Sequence, residues 1–385
     1  MTSFLARLYA FKFFDSFILI FPLYAVMFVD AGLTPVQISI ALMAWSATAF
    51  CLQIPSGVIA DRWSRRHILA AAQLARAAGF VVWLVWPHFW GFLIGLVLWG
   101  IKSAFTSGTF EALLYDELKA QGRGDDYTRI YGRARAVQAA GVVLAALCAA
   151  SVARHGYPLE LAASLGSISI AILAALSLPR AERTRMAGEP DYLTHLRLGL
   201  SLSVREPMVL SILLFSAIVL ALGGALEEFW PIFGIKVGLS RPLIALFVGA
   251  QSGTEMLASL VAHRVSRLAT RWIYSLFTLG GAMLAIAAGI FSPPAMILLA
   301  LYSGLLKMID VVFEGRLQQA IPSDRRATIG SVKGFAGEVG VTGLYLAFGP
   351  LAQATSYQIA FGACGVAGVL IGLAYLGRAR GRTRP

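Results

Sequence analysis

The sequence predicts an all-α membrane protein with about twelve transmembrane helices in two pseudo-symmetric six-helix bundles. Three observations carry this. Of 385 residues, 58% are hydrophobic and only 14% are charged, with a mean hydropathy of +0.74, far from the balance of a water-soluble domain. Apolar stretches of about 20 residues, the length that crosses a bilayer, recur along the chain. The second half also repeats the charge pattern of the first.

Taken in order, the predicted spans of the first half cover 9–30, 36–60, 68–86, 89–113, 130–153 and 159–178. Those of the second half cover 207–233, 242–262, 272–291, 295–320, 329–350 and 357–377. The expected domains are therefore 1–178, a polar linker at 179–206, and 207–385. The linker carries Arg180, Arg183, Arg185, Arg197 and Arg205, with an interfacial helix predicted over 192–204. No cleavable signal peptide is expected, because Met1 to Arg7 lacks a strongly basic start and Asp15 interrupts the first apolar run.

The formal net charge of +12 does not indicate nucleic acid, since the surplus arginines sit in short loops between apolar runs. Alternate loops carry Arg62, Arg65 and Arg66, then Lys119, Arg123 and Arg129, the linker, Arg264, Arg267 and Arg271, Arg325 and Arg326, and the tail from Arg378 to Arg384. The opposite loops hold only Arg154, Lys236 and Arg241. Cytoplasmic loops are enriched in Lys and Arg, so both termini and the linker are expected on the cytoplasmic side of the membrane. Cys51, Cys148 and Cys364 fall inside apolar runs without metal-ligand spacing and are expected to be buried, inert thiols.

A shift of 202 residues lays Gln53, Ala60, Arg62, Ser64 and Arg65 on Glu255, Ala262, Arg264, Ser266 and Arg267. A shift of 203 lays Phe110, Glu111 and Leu114 on Phe313, Glu314 and Leu317. The first of these stretches reads Gln53-Ile-Pro-Ser-Gly57-Val-Ile-Ala-Asp61-Arg62-Trp-Ser-Arg65-Arg66, a tight basic loop between two apolar runs. From Gly57 onward it resembles the loop signature Gly-x-x-x-Asp-Arg-x-Gly-Arg-Arg of the major facilitator superfamily, with Ser64 where the pattern prefers Gly. The run Ser107-Gly-Thr-Phe-Glu111-Ala-Leu-Leu-Tyr-Asp-Glu-Leu-Lys119 is similar to the end of helix 4 in a bacterial branch of that family. The resemblance implies two six-helix bundles working by alternating access, with helices 1, 4, 7 and 10 lining a cavity. It also implies a conformational latch at Gly57, Asp61 and Arg62; Arg65 and Arg66 read as charge anchors. It implies no substrate.

Ionisable groups within hydrocarbon cost at least ~2.5 kcal/mol, so those present are expected to face a cavity or a partner. Glu111 and Glu314 are matched between halves and are expected to form scaffold ion pairs, Glu111 with Arg133, Arg135 or Arg62. Asp15, Lys102, Lys307 and Asp310 have no counterpart and fall on the implied cavity helices, where Lys102 and Lys307 stand mid-span, out of snorkelling reach. Lys307, Asp310 and Glu314 share one helix face. These charges form the candidate path, with one carboxylate carrying a coupling proton; the alternative for Lys307 and Asp310 is a static pair. Glu338 is a secondary proton-site candidate on a small-residue face, 334–340, and Glu255 reads as a polar contact between helices. Glu227 and Glu228, at the outer end of the seventh span, are expected to be solvated, with the lining of an external gate as the alternative. Trp45 and Trp99 are candidate cavity wall, and Trp86, Trp90, Trp230 and Trp272 are expected at the membrane interfaces.

These features predict a secondary active transporter of a small organic solute, a monomer with protons as coupling ion and no cofactor. The resembled branch favours efflux; uptake is the alternative, because the proline-containing helix-5 motif common in exporters is missing from Val137 to Ala150. No Gly-x-x-x-x-Gly-Lys-Ser/Thr nucleotide loop occurs. An enzyme is disfavoured because the five histidines scatter through loops with no nucleophile or metal motif, and a channel because no ring of filter residues repeats.

Overall fold

A computed structural model describes residues 2–179, 207–320 and 326–381, with side chains at 2, 3, 54, 55, 57–62, 207, 208, 320, 326–328 and 379–381 left undescribed. The linker arginines, the predicted helix at 192–204, Arg325, and the side chains of Asp61 and Arg62 lie outside the described residues. What is described is helical throughout, with no strand.

The first half runs through α1 Thr2–Ser16, α2 Tyr24–Asp30, α3 Pro35–Arg62, α4 Arg65–Val85, α5 Phe89–Thr106, α6 Thr109–Ala120, α7 Tyr127–Val152 and α8 Tyr157–Leu176. The second runs through α9 Pro207–Val219, α10 Trp230–Lys236, α11 Arg241–Val265, α12 Thr270–Ile290, α13 Ala295–Ala320, α14 Arg326–Ala354 and α15 Tyr357–Gly381. Among the described residues ten helices are long and apolar enough to cross a membrane, or eleven if the pair Val209–Ala225 and Trp230–Lys236, bent by 45°, is one span. The count falls short of the expected twelve at the first span, where α1 and α2 have 15 and 7 residues and are separated by residues 17–23.

Three breaks interrupt helices drawn as continuous from sequence. In the first, Pro22 lacks an amide proton and its ring crowds the preceding turn. The second falls at Ser107 and Gly108, where Gly108 has φ +76° and Glu111 caps the new helix by accepting the Gly108 amide at 3.0 Å. In the third, Leu220–Ala225 widens into a π turn before the bend. Freed backbone groups in a membrane protein need partners, and neighbouring side chains supply them. Ser164 Oγ accepts from Ile20 N–H at 3.1 Å, Ser167 donates to Phe14 O at 2.9 Å, and Tyr302 donates to Leu222 O at 2.7 Å.

The helices form two compact units, one of 1–33, 40–189 and 241–249, the other of 34–39, 190–240 and 250–385. Within unit 1, α4 packs on α5 and α8, and α1 packs on α7; within unit 2, α12 packs on α13 and α15, and α9 on α14. Each unit thus uses its third helical span as a hub and sets its first against its fifth, the order a sequence repeat requires. Unit 1 buries Phe4, Leu8, Phe11, Phe110, Leu114 and Ile130 in one core. Unit 2 gathers Tyr274, Phe277, Phe313 and Tyr375 around Phe215, with ring centroids 4.6–5.0 Å away.

Trp230 is a correction: it is fully buried, stacked on Phe361 and donating to Ser303 Oγ at 3.2 Å, not an interface residue. Trp86, Trp90 and Trp272 are exposed. Cys51 is exposed too, against the expectation of three buried thiols.

Candidate functional site

The first helix break lies directly after Asp15. One of its carboxylate oxygens accepts from three side chains: Lys102 Nζ at 2.7 Å, Gln73 Nε2 at 2.7 Å and Arg76 Nη2 at 3.1 Å. A second arm of the Arg76 guanidinium reaches the Asp15 carbonyl at 2.9 Å, and Gln73 Oε1 accepts from Arg76 at 2.6 Å. Asp15, Arg76 and Gln73 are buried, so the network pins α1, α4 and α5 together beside the broken segment. The buried carboxylate is compensated by two cations, which together with Gln73 give it three hydrogen bonds. Asp15 and Lys102 are therefore brought together as the sequence suggested. Arg76 and Gln73 were missed, although Arg76, about ten residues from either end of α4, satisfies the mid-span criterion that singled out Lys102.

Aromatic rings adjoin this network. Trp99, one turn before Lys102 on α5, is half-buried and lies 5.3–6.3 Å from the rings of Phe80, Tyr24, Trp83 and Phe21. Trp45 packs its backbone on the same helix, since a Cβ at Gly100 would sit 2.7 Å from the Trp45 carbonyl oxygen. Lys12, also unanticipated, is buried on α1 with its ammonium 3.9 Å from the centre of the Phe110 ring.

In unit 2, Lys307 and Asp310 pair at 3.6 Å, with side chains 47% and 30% exposed. Glu314 does not join them: it binds Lys333 of α14 and accepts from Gln318 at 2.8 Å. The expected arginine partner is thus replaced by a lysine. Gln251 of α11 bridges two carboxylates, donating to Glu255 at 3.0 Å and Glu227 at 3.3 Å, so Glu227 is half-buried and bound rather than solvated. Glu338 is half-buried on α14, whose small residues do permit close approach: a Cβ at Gly340 would lie 2.9 Å from the Ala217 carbonyl oxygen.

The predicted latch is only partly gathered. Glu111 caps its own helix and accepts from the Tyr131 hydroxyl at 3.3 Å, while Arg133 is exposed and Arg135 donates to Gln138. Among the described residues Glu111 forms no ion pair with Arg133 or Arg135; the third expected partner, the Arg62 side chain, lies outside the described residues. Arg65, read as an anchor, instead pairs with Asp116 at 2.5 Å, and Arg66 reaches the carbonyls of Leu176 and Leu178.

At the far end of unit 1 stands a cluster the sequence did not flag. Asp30 accepts from Arg241 Nη2 at 2.7 Å and from the Tyr157 hydroxyl at 2.5 Å, with the guanidinium 4.3 Å from the Tyr157 ring centre. Both charged side chains are about a third exposed, a setting in which such pairs contribute roughly 0.2–1 kcal/mol. Arg241→Gln is expected to lower Tm slightly, and the exchanged pair Asp30→Arg with Arg241→Asp to recover part of the loss. A swap no better than the single variant would show that charge is not what holds this contact.

No group of three or more His, Cys, Asp or Glu among the described residues could hold a metal ion. A family model described as Major Facilitator Superfamily matches residues 5–343. Multidrug resistance protein MdtH of Cronobacter sakazakii is 27% identical over 162 residues, which cover 42% of this chain and 39% of that protein. MdtH of Escherichia coli K12 / DH10B is 26% identical over the same length. The chain spans about two fifths of these relatives (39%). Among solved structures, a point mutant of the nucleoside transporter NupG superposes with TM-score 0.81 at 15% identity, covering 97% of this chain and 99% of that one. A bacterial homologue of the iron transporter ferroportin, in an inward-facing state, gives 0.73 at 15% identity and 98% of each chain. These likenesses concern the fold.

Proposed function

The chain belongs to the major facilitator superfamily, and from that premise we propose that it is a secondary active transporter of a small organic solute, working by alternating access as a proton-coupled exporter. The observation that carries the reading is the Asp15–Lys102–Arg76 network beside a broken first helix. Charges so expensive to bury, set where helical backbone is interrupted, are the form that solute and ion paths take in membrane transporters. Efflux rests on the partial likeness to MdtH. Uptake is the second reading, favoured by the missing proline motif in α7 and by a structural neighbour described as a D-xylose–proton symporter, with TM-score 0.68.

In this reading α1 with α2, and α9 with α10, each make one span, giving twelve. Bundles at 1–178 and 207–385 are joined by a cytoplasmic linker, 179–206, in a bacterial inner membrane. Asp310, Glu255 and Glu338 in unit 2, with Glu227, are the carboxylates left to carry a proton, because Asp15 is clamped between cations. The latch of Gly57, Asp61 and Arg62 would extend to Arg65 and Asp116.

The test is a proteoliposome screen of candidate solutes for flux linked to proton movement, run with the pH gradient in each direction. A solute moving against its gradient only when protons move the opposite way is the expected result. Ohmic current, or no gradient-driven flux of any solute, would defeat the proposal.

A further inference from the structure

The cluster around Asp15 carries more positive charge than its one carboxylate neutralises. Arg76 and Lys102 share Asp15, and Lys12 stands within electrostatic range of both Asp15 and Lys102. That makes three cations to one carboxylate. Glu111 and Arg135 also lie in range of Lys12, and being of opposite sign they leave the balance unchanged. Among the described residues the Lys12 ammonium has no carboxylate, hydroxyl or carbonyl partner, only the face of Phe110. Lys102 spends one of its three N–H bonds on Asp15. A buried ammonium without an anion is costly, and a ligand that supplies one recovers that cost on binding. One turn from Lys102 on the same helix face, Trp99 forms an apolar wall with Phe21, both half-buried with ring centroids 6.3 Å apart.

We propose that Lys12 and Lys102 receive the carboxylate, or an equivalent anionic group, of an organic anion whose flat apolar part rests on Trp99 and Phe21. The assignment deepens the transporter reading and rests on it: the solute class is an aromatic or similarly flat organic anion. Asp15 and Arg76 act as positioning residues: Asp15 fixes Lys102, and Arg76 offsets the charge of Asp15 so that the cluster stays cationic.

The probe is 2-naphthoate, titrated by calorimetry into the purified full-length protein, with 2-naphthylmethylamine and acetate as size-matched cation and ring-free anion. Saturable binding of 2-naphthoate is expected, at least tenfold tighter than either control. Lys12→Gln is expected to weaken it at least tenfold, and Trp99→Leu several-fold. Because Lys102→Gln would also strip Asp15 of a partner, Lys102→Arg is the variant made there, and it is expected to retain binding. No saturable binding of 2-naphthoate, equal binding of the amine, or an unchanged Lys12→Gln variant would each overturn the assignment. A wild-type protein that moves another solute with protons while ignoring 2-naphthoate would leave the transporter reading intact. Tight 2-naphthoate binding with no flux of any solute would do the reverse.

Discussion

Asp15→Asn is expected to abolish solute flux in proteoliposomes and to lower Tm by more than any other single polar substitution in unit 1. The amide still meets Gln73, but it cannot neutralise Arg76 and Lys102, which remain buried at the junction of α1, α4 and α5. Breaking a buried ion pair by removing one partner costs about 3–5 kcal/mol, because the surviving charge is left uncompensated. Two measurements separate this from a general packing defect. The double variant Asp15→Asn with Arg76→Gln removes one charge of each sign, so it is expected to melt above Asp15→Asn alone; equal or lower stability would contradict a charge-based account. Asp310→Asn, by contrast, leaves Lys307 half-exposed to whatever surrounds it, so its effect on Tm is expected to be small and its effect on proton dependence large. Unchanged proton dependence in Asp310→Asn would remove that residue from the proton path.

The sequence made the bundle plan readable because burial in lipid demands long apolar runs and the repeat duplicates their order. The breaks were harder to see, since hydropathy is blind to backbone conformation. Pro22 and the Gly108-to-Glu111 capping pattern carried the signals for two of them. The π turn at Leu220–Ala225 had Gly223 and Gly224 as its only trace. Within the site, pairing Asp15 with Lys102 followed from their shared lack of a counterpart. Arg76 was not legible as a partner because it lies on α4, outside the helices that the family resemblance places at the cavity. The partners that Glu111 and Glu314 do have follow from geometry: a carboxylate three residues into a helix is drawn to the free amide at that helix's start, and the cation that α14 presents to Glu314 is a lysine.

The proposed alternating access would require each unit to move without deforming, and the α12–α15 contact in unit 2 supplies close packing suited to that. A Cβ at Gly365 would stand 2.4 Å from the Ala285 amide nitrogen, and one at Gly281 would stand 2.6 Å from that of Val369. Those are backbone atoms, which cannot rotate aside, so a larger residue forces the two helices apart. Membrane helices lack a hydrophobic drive to associate and depend on such close packing. Overpacking costs typically about 1–3 kcal/mol where side chains can adjust, and more is expected where they cannot. Gly365→Val should therefore abolish the monodisperse gel-filtration peak of the purified protein or sharply lower its Tm. Gly289→Ala on α12, with nothing within 4 Å of the added carbon, should leave both unchanged. If Gly365→Val instead melts with the wild type, the two helices are not in backbone contact, and the rigidity assigned to this unit loses its physical basis.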